Sequence, residues 1–439
     1  MLLLLSQLAS LLSLAIAPSP GTSRPFEALA ELEPLLRRYR ALPARAIPAE
    51  DALLLLARAA DAYTAARSYA NLTLLRAEIV ALETAPSKLL LARVALVEAL
   101  TFERRFEEAL GVLAAAEGAA LALPTSTAKA GLAAGLLRSR AQVLDCKGDG
   151  RDALEAFEQG LPSLPWPPPQ GLTSAALTRL TKTYLLLLRR AGLHASERAL
   201  RAGAALLEAG PWTRVDQLPK HFHPQLPTRP FWDAENPPWE LGGLAAALKR
   251  AAPALLREFR SLQAARAPFL LPEAECINDP HSGLWTYATV NAPWVQHVDE
   301  DLCATSTPVA CKLLRRARKE GWGGTALRGT YSTVAGGGVL RAHCGLSTAQ
   351  IKFHVGLAVP RRVEVGGGGV ERSLPCAFLT VANETRAWEE GQVLLFSDSY
   401  EHAVENLCPH AERVVFQLVL PHGDARGKEL DGAVGPQGD

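Results

Sequence analysis

The chain of 439 residues reads as an α+β protein of more than one domain: an all-α helical-repeat half, then a β-rich half folded as a small barrel or jelly roll. Three observations predict this. The first half is dominated by Ala, Leu, Arg and Glu, with apolar residues at three-to-four spacing. The second carries most of the Gly, the β-branched runs and six of the seven cysteines. A break rich in Pro and Trp lies between them.

Residues 2–17 are almost wholly apolar, and the first charge is Arg24. The run is short for a bilayer span, which takes about 20 residues, and Ala15-Ile16-Ala17 offers a small-x-small cleavage pattern. Residues 1–17 are thus expected to be a signal peptide, with an uncleaved membrane anchor or a helix packed on the domain as the alternatives. Signal or anchor would place the remainder in the lumen of the secretory pathway, where disulfides form. There Asn71-Leu-Thr73 would be an exposed N-glycan acceptor, and Asn383-Glu-Thr385 one shielded by the barrel.

Residues 25–215 are expected to be helical. The segments from Asp51, from Leu89 and from Leu177 to Leu193 space their apolar residues for one helix face. Arg105-Phe-Glu-Glu-Ala-Leu and Gly150-Arg-Asp-Ala-Leu each follow a short turn and resemble the second helix of a tetratricopeptide hairpin. Their Ala-Leu pairs at Ala109 and Ala153 stand 44 residues apart, against about 34 for that repeat. A degenerate tetratricopeptide-like array and an irregular bundle both fit. Pro165-Trp-Pro-Pro-Pro marks a stiff loop.

Residues 216–240, with Arg229-Pro-Phe-Trp-Asp and Asn236-Pro-Pro-Trp239, form a connector too rich in Pro for a helix and too aromatic for a disordered linker. Residues 241–423 are the second domain, opening on an amphipathic helix to Ala264. Strands are predicted over Leu327–Val334, Gln350–Val359, Cys376–Val381, Val393–Phe396 and Arg413–Leu420, separated by Gly-rich or polar segments. Residues 424–439 are expected to be a disordered tail. Formal charge is +1, from 46 basic and 45 acidic residues, so nothing draws the chain to nucleic acid.

Candidate chemistry lies between Arg341 and Leu420. Alternation in Gln350–Val359 puts Ile351, Phe353, Val355, Leu357 and Val359 on one face and Lys352, His354, Gly356 and Ala358 on the other. The polar face either meets water or lines a barrel interior. His343 and His402 stand near strand ends, and neutral imidazole is a good ligand for Fe(II). The carboxylate that commonly completes such a site two residues after the first His is absent, because Gly345 stands there. Arg413, 11 residues after His402, leads a strand and offers a planar fork to a carboxylate. Taken together, these residues suggest a metal and a dicarboxylate co-substrate.

His343-Cys-Gly345, Lys352-Phe-His354-Val-Gly-Leu-Ala-Val-Pro360, Asn383-Glu-Thr-Arg-Ala-Trp388-Glu-Glu-Gly running on to His402, and Arg413-Val-Val-Phe resemble the aspartyl/asparaginyl β-hydroxylases. These are Fe(II)- and 2-oxoglutarate-dependent dioxygenases, and animal members carry tetratricopeptide repeats ahead of the catalytic domain. The resemblance spans roughly Leu226 to His422 and implies a double-stranded β-helix. It implies iron held by His343 and His402 alone, and the distal carboxylate of 2-oxoglutarate on Ser332 and Arg413. It puts Lys352 and His354 at the metal-proximal end, Lys352 standing where the family has Arg, and Trp285 on the substrate side. It also implies a Cys303–Cys311 disulfide. The expected activity is hydroxylation by O2 of an Asp or Asn β-carbon in a polypeptide such as an EGF-like domain. A lipid or small-molecule substrate, halogenation through the free ligand position, and an inactive helical-repeat scaffold are the rival expectations.

Overall fold

The structure is a computed structural model that describes residues 25–41, 48–65, 69–122, 127–160, 174–265, 271–272, 276–290, 303, 305–323, 327–365 and 371–426. The expected signal peptide or anchor and the Pro165 loop lie outside them. So does the expected tail beyond residue 426. Contacts divide the chain into two compact units, Met1–His194 and Ala195–Asp439.

The first unit is helical throughout its described residues. Its helices are α1 (Pro25–Arg40), α2 (Ala49–Ala65), α3 (Tyr69–Leu82), α4 (Pro86–Phe102), α5 (Phe106–Leu121), α6 (Thr127–Lys147), α7 (Gly150–Gly160) and α8 (Ser174–Arg190). Each packs chiefly on its chain neighbours. Leu36, Leu56, Ala59 and Leu75 close one core, and Leu100, Ala109, Leu113 and Val143 a second. Pro86 opens α4 at a position where its missing N–H costs nothing. The glycan pattern at Asn71 sits on α3 with Asn71 exposed and Thr73 buried.

The second unit begins 21 residues earlier than the expected boundary after residue 215, since contacts assign it everything from Ala195. Helix α9 (Glu197–Ala209) starts at Ser196, whose side chain accepts from Ala199 N. The expected connector, 216–240, is part of this unit. Strand β1 (Phe231–Trp232) pairs with β11 (Val393–Phe396), and Trp232 Nε1 donates to Ser397 Oγ at 3.0 Å.

Among the described residues, two antiparallel sheets share a core. The larger runs β1-β11-β6-β13-β4-β3-β2, with β2 (Leu271–Pro272), β3 (Trp285–Thr289), β4 (Arg328–Val334), β6 (Gln350–Ala358) and β13 (Arg413–Pro421). The smaller runs β10-β9-β12-β5, with β5 (Val339–His343), β9 (Ala377–Val381), β10 (Glu384–Ala387) and β12 (His402–Asn406). Strands β7 (Arg361–Val365) and β8 (Glu371–Pro375) form a separate hairpin. Val334, Phe396 and Val415 of the larger sheet meet Leu340, Leu379 and Val404 of the smaller one.

Alternation decides which face each side chain serves. Ile351, Phe353, Val355 and Leu357 pack outward against α10 (Gly242–Ala264) and α11 (Pro308–Lys319). Lys352, His354 and Gly356 are left on the inner wall. Val359, expected with the outer set, joins the inner core because it lies beyond the end of β6. Glu258 of α10 is buried and accepts from Val309 N and Ala310 N, which caps α11, and from the Tyr331 hydroxyl of β4. Strand β9 turns into β10 through Ala382 and Asn383, with Ala382 at φ 53°. That turn leaves Asn383, Glu384 and Thr385 exposed, so the second glycan pattern is not shielded. Disorder was expected from residue 424, but Gly423–Ala425 is a 3-10 turn held by His422, with Ala425 buried.

Candidate active site

His343 ends β5 and His402 begins β12, directly opposite each other in the antiparallel ladder, so their rings lie with centroids 4.1 Å apart. His343 Nδ1 is 2.8 Å from Arg341 O, and His402 Nδ1 is 2.9 Å from Tyr400 O. A carbonyl can only accept, so each Nδ1 carries its proton and each Nε2 keeps a lone pair. Burial, then the neighbouring Lys352 ammonium, holds His402 down to about 3. Burial, then His402, keeps His343 well below 6.5. Both are neutral at physiological pH.

Among the described residues, no three His, Cys, Asp or Glu side chains converge as a metal-binding group. Asp398 comes near without joining. It is 2% exposed, its Oδ2 accepts from Lys352 Nζ at 2.8 Å, and its Oδ1 has no partner. Gly345 N donates to Asp398 O at 2.6 Å, and a Cβ at Gly345 would run into the Asp398 carboxylate. The room beside Gly345 is thus filled by a carboxylate from another segment. Two adjacent neutral imidazoles with free Nε2 lone pairs fit a first-row divalent metal such as Fe(II).

Arg413 begins β13, opposite Val334 of β4, and is 1% exposed. Its Nε and Nη1 have no partner among the described residues, and burial lowers its pKa to about 9. Its guanidinium carbon lies 4.6 Å from the Trp388 ring centre. A buried cation without a counter-charge is costly, and this one has room in its donor set for an anion. The adjacent Glu412 does not supply it, being engaged with Arg260 and with Thr333 Oγ1 at 3.1 Å.

Ser332, fully buried on β4, lies opposite Val415 of β13 and Tyr287 of β3. Trp285, expected on the substrate side, donates its indole N–H to Ser332 Oγ at 2.9 Å. It therefore fixes a hydroxyl whose own proton remains to be donated. His354 lies opposite Gln417 and Leu394, with neither ring nitrogen partnered. It stacks near-parallel on Trp388 at 6.0 Å, with Phe396 edge-on at 4.8 Å. Burial, then Lys352, keeps it well below 6.5. Cys303 and Cys311 are paired, with Cα atoms 5.5 Å apart.

Sequence reasoning missed Asp398, the position of Trp388 beneath Arg413, and a second disulfide, Cys376–Cys408. The acid at 398 stands four residues before His402, a signal that was there to use. The pairing of Cys376 across 32 residues was not, since connectivity does not follow from a count of cysteines.

A family model described as aspartyl/asparaginyl β-hydroxylase matches residues 249–422. Over those residues the chain is similar to the aspartyl/asparaginyl β-hydroxylases. Aspartate β-hydroxylase domain-containing protein 2 of Homo sapiens is 30% identical over 213 residues, 47% of this chain and 51% of that protein. Aspartyl/asparaginyl β-hydroxylase of Mus musculus is 31% identical over 134 residues, 30% of this chain and 16% of that one. The chain thus spans about half the length of the first curated relatives it matches. A crystal structure of a Pseudomonas putida prolyl-4-hydroxylase aligns with 40% of this chain and 87% of its own at 13% identity and a TM-score of 0.23, too slight a likeness to argue from.

Proposed function

We propose that the chain is an Fe(II)- and 2-oxoglutarate-dependent dioxygenase that hydroxylates the β-carbon of an Asp or Asn residue in a polypeptide, on a double-stranded β-helix. The arrangement that carries the reading is a neutral His343–His402 pair at one end of the inner wall and, at another, the buried Arg413 guanidinium, whose Nε and Nη1 lack a partner among the described residues. His343 and His402 would hold the metal through Nε2. Arg413 and Ser332 would take the distal carboxylate, and Lys352 with His354 the end nearest the metal. Iron, 2-oxoglutarate and O2 together supply the oxidising equivalent that turns C–H into C–OH, with succinate and carbon dioxide as co-products.

The chain's own share is placement. Arg413 brings net positive charge to one end of the wall, while Lys352 is balanced by Asp398, and this draws the distal carboxylate to the Arg413 end. The apolar lining from Phe396, Val334 and Val415 keeps water away from the reacting groups. The Asp398 carboxylate fills the room beside Gly345, and the loss of that space to a side chain favours hydroxylation over halogenation. Disulfides at Cys303–Cys311 and Cys376–Cys408 favour an oxidising lumen. The helical unit we read as a degenerate tetratricopeptide-like array that presents the polypeptide. No described helix is long and apolar enough to cross a membrane.

The test is mass spectrometry of 2-oxoglutarate turnover against a panel of peptides that includes an EGF-like domain. Succinate formed in step with a 16 Da gain on an Asp or Asn supports the proposal, the gain being about one oxygen atom by the stoichiometry above. Succinate without peptide modification would move the substrate to a lipid or small molecule, and no succinate at all would leave a scaffold.

A further inference from the structure

We propose that Trp388 is a ligand-binding residue whose indole N–H donates to the carboxylate that Arg413 holds. The inference rests on the functional reading above and names a donor that reading does not use. Trp388 follows β10, where the chain crosses from the smaller sheet to the larger one, and its ring is fully buried. Nothing in that position requires an indole: the contacts it makes with the core of the two sheets are those of an aromatic hydrocarbon. Its Nε1 nevertheless has no acceptor among the described residues. Buried indole N–H groups ordinarily find a partner, so an orphan marks the place of one that arrives from outside.

The neighbours say what arrives. Trp388 lies under the Arg413 guanidinium at 4.6 Å and stacks on His354 at 6.0 Å. Orphan donors on Arg413 and Trp388 therefore collect around one part of the inner wall, with Ser332 on the strand paired to the one Arg413 begins. Their combined charge is one positive, because the indole and the hydroxyl are neutral. One charge with several donors matches a carboxylate, which carries one negative charge and about four acceptor positions, better than a phosphate dianion. Trp388 thereby sets a preference for the distal carboxylate of a short dicarboxylate.

The experiment is calorimetric titration of the Zn(II)-loaded protein, which binds without turning over, with 2-oxoglutarate and with 2-oxobutyrate, which lacks the distal carboxylate. Trp388→Phe keeps the stacked ring and removes the N–H. It should weaken 2-oxoglutarate about tenfold, the scale of one hydrogen bond to a charged group, and leave 2-oxobutyrate within about twofold on the same scale. Equal affinity of Trp388→Phe and wild type for 2-oxoglutarate, with Arg413→Gln still weaker, would overturn the role of Trp388 and spare the functional reading. Arg413→Gln binding as well as wild type would overturn both. Should Trp388→Phe fail to fold, the indole proton resonances of the wild-type protein carry the test. An indole other than the one that disappears in Trp285→Phe should shift on titration with 2-oxoglutarate and stay still with 2-oxobutyrate, and no such shift overturns the proposal.

Discussion

Lys352 Nζ stands 2.8 Å from Asp398 Oδ2, and both charges of that pair act on His343. Asp398 is almost wholly buried and the Lys352 side chain is 15% exposed, so neither charge is well solvated. Removing one partner of such a pair typically costs about 3 kcal/mol or more, because the other is left uncompensated. Lys352→Ala should destabilise the protein on that order, Lys352→Arg much less, and Lys352→Met with Asp398→Leu should recover part of the loss. Urea denaturation of the four proteins checks it, and a double variant no better than Lys352→Ala would deny the coupling.

At the other end of the wall, Arg413→Ala should raise the 2-oxoglutarate concentration needed for half-maximal succinate formation far more than Lys352→Ala does. Arg413 has no counter-charge among the described residues, whereas Lys352 is already neutralised by Asp398. Lys352→Arg should keep or improve activity, since Arg keeps the charge beside Asp398 and adds a planar fork. The comparison is made on steady-state kinetics, and an unchanged co-substrate requirement in Arg413→Ala would misplace the anion site.

His343→Ala should abolish metal-dependent succinate formation and lower bound iron from one per chain while the metal-free protein melts nearly as before. Its Nδ1 bond to Arg341 O closes a local loop only two residues long, so little of the fold depends on it. Metal content by emission spectroscopy, beside the melting curve, separates a lost ligand from a lost fold.

A carboxylate introduced at Gly345 should weaken metal binding. Gly345→Asp would drive its side chain into Asp398 and set two carboxylates against each other in a buried site. This reverses the expectation drawn from spacing alone, in which an acid at 345 completes a three-ligand set. Direct metal titration of the variant decides between them, tighter binding favouring the spacing argument.

Acid should erode the metal-free protein through its buried histidines. His343, His354 and His402 all have pKa values lowered by burial, His402 to about 3, from 6.5 in the unfolded chain. Below pH 6.5 the unfolded chain takes up protons that the folded one refuses, so stability is full above 6.5 and falls as pH descends toward the folded values. Each histidine contributes a slope of up to about 1.4 kcal/mol per pH unit in that window. Denaturation midpoints at pH 7, 6 and 5 should decline accordingly, and a flat profile would mean these rings are charged when folded.

Much of the larger sheet was legible because its strands are long and alternate. Gln350 to Ala358 separates outer Ile, Phe, Val and Leu from inner Lys and His, and Arg413 to Pro421 is a β-branched run. The strand over Val393–Phe396 was predicted to the residue. The strands β5 and β12 were harder, being five residues each and partly polar, so the cross-strand meeting of His343 and His402 could not be read from either alone. Strand β1 was hidden by the prolines around it, which argue against sheet until β11 supplies a partner. Asp398 escaped for a different reason. Its importance comes from contact with Gly345 and Lys352, both more than forty residues away in sequence, and no periodicity encodes that.

The pairing of Phe231 and Trp232 with β11 bears on how small a working piece of this protein can be. A polypeptide trimmed to begin where the family match begins, at residue 249, would lack β1 and leave the backbone of Leu395 and Phe396 without its neighbour. It would also uncover the ring faces that Trp232 and Phe231 now shield. An apolar strand with open N–H and C=O groups is a template for joining to another molecule. Such a fragment should form oligomers that grow with concentration, whereas one starting near residue 195 should elute as a single species.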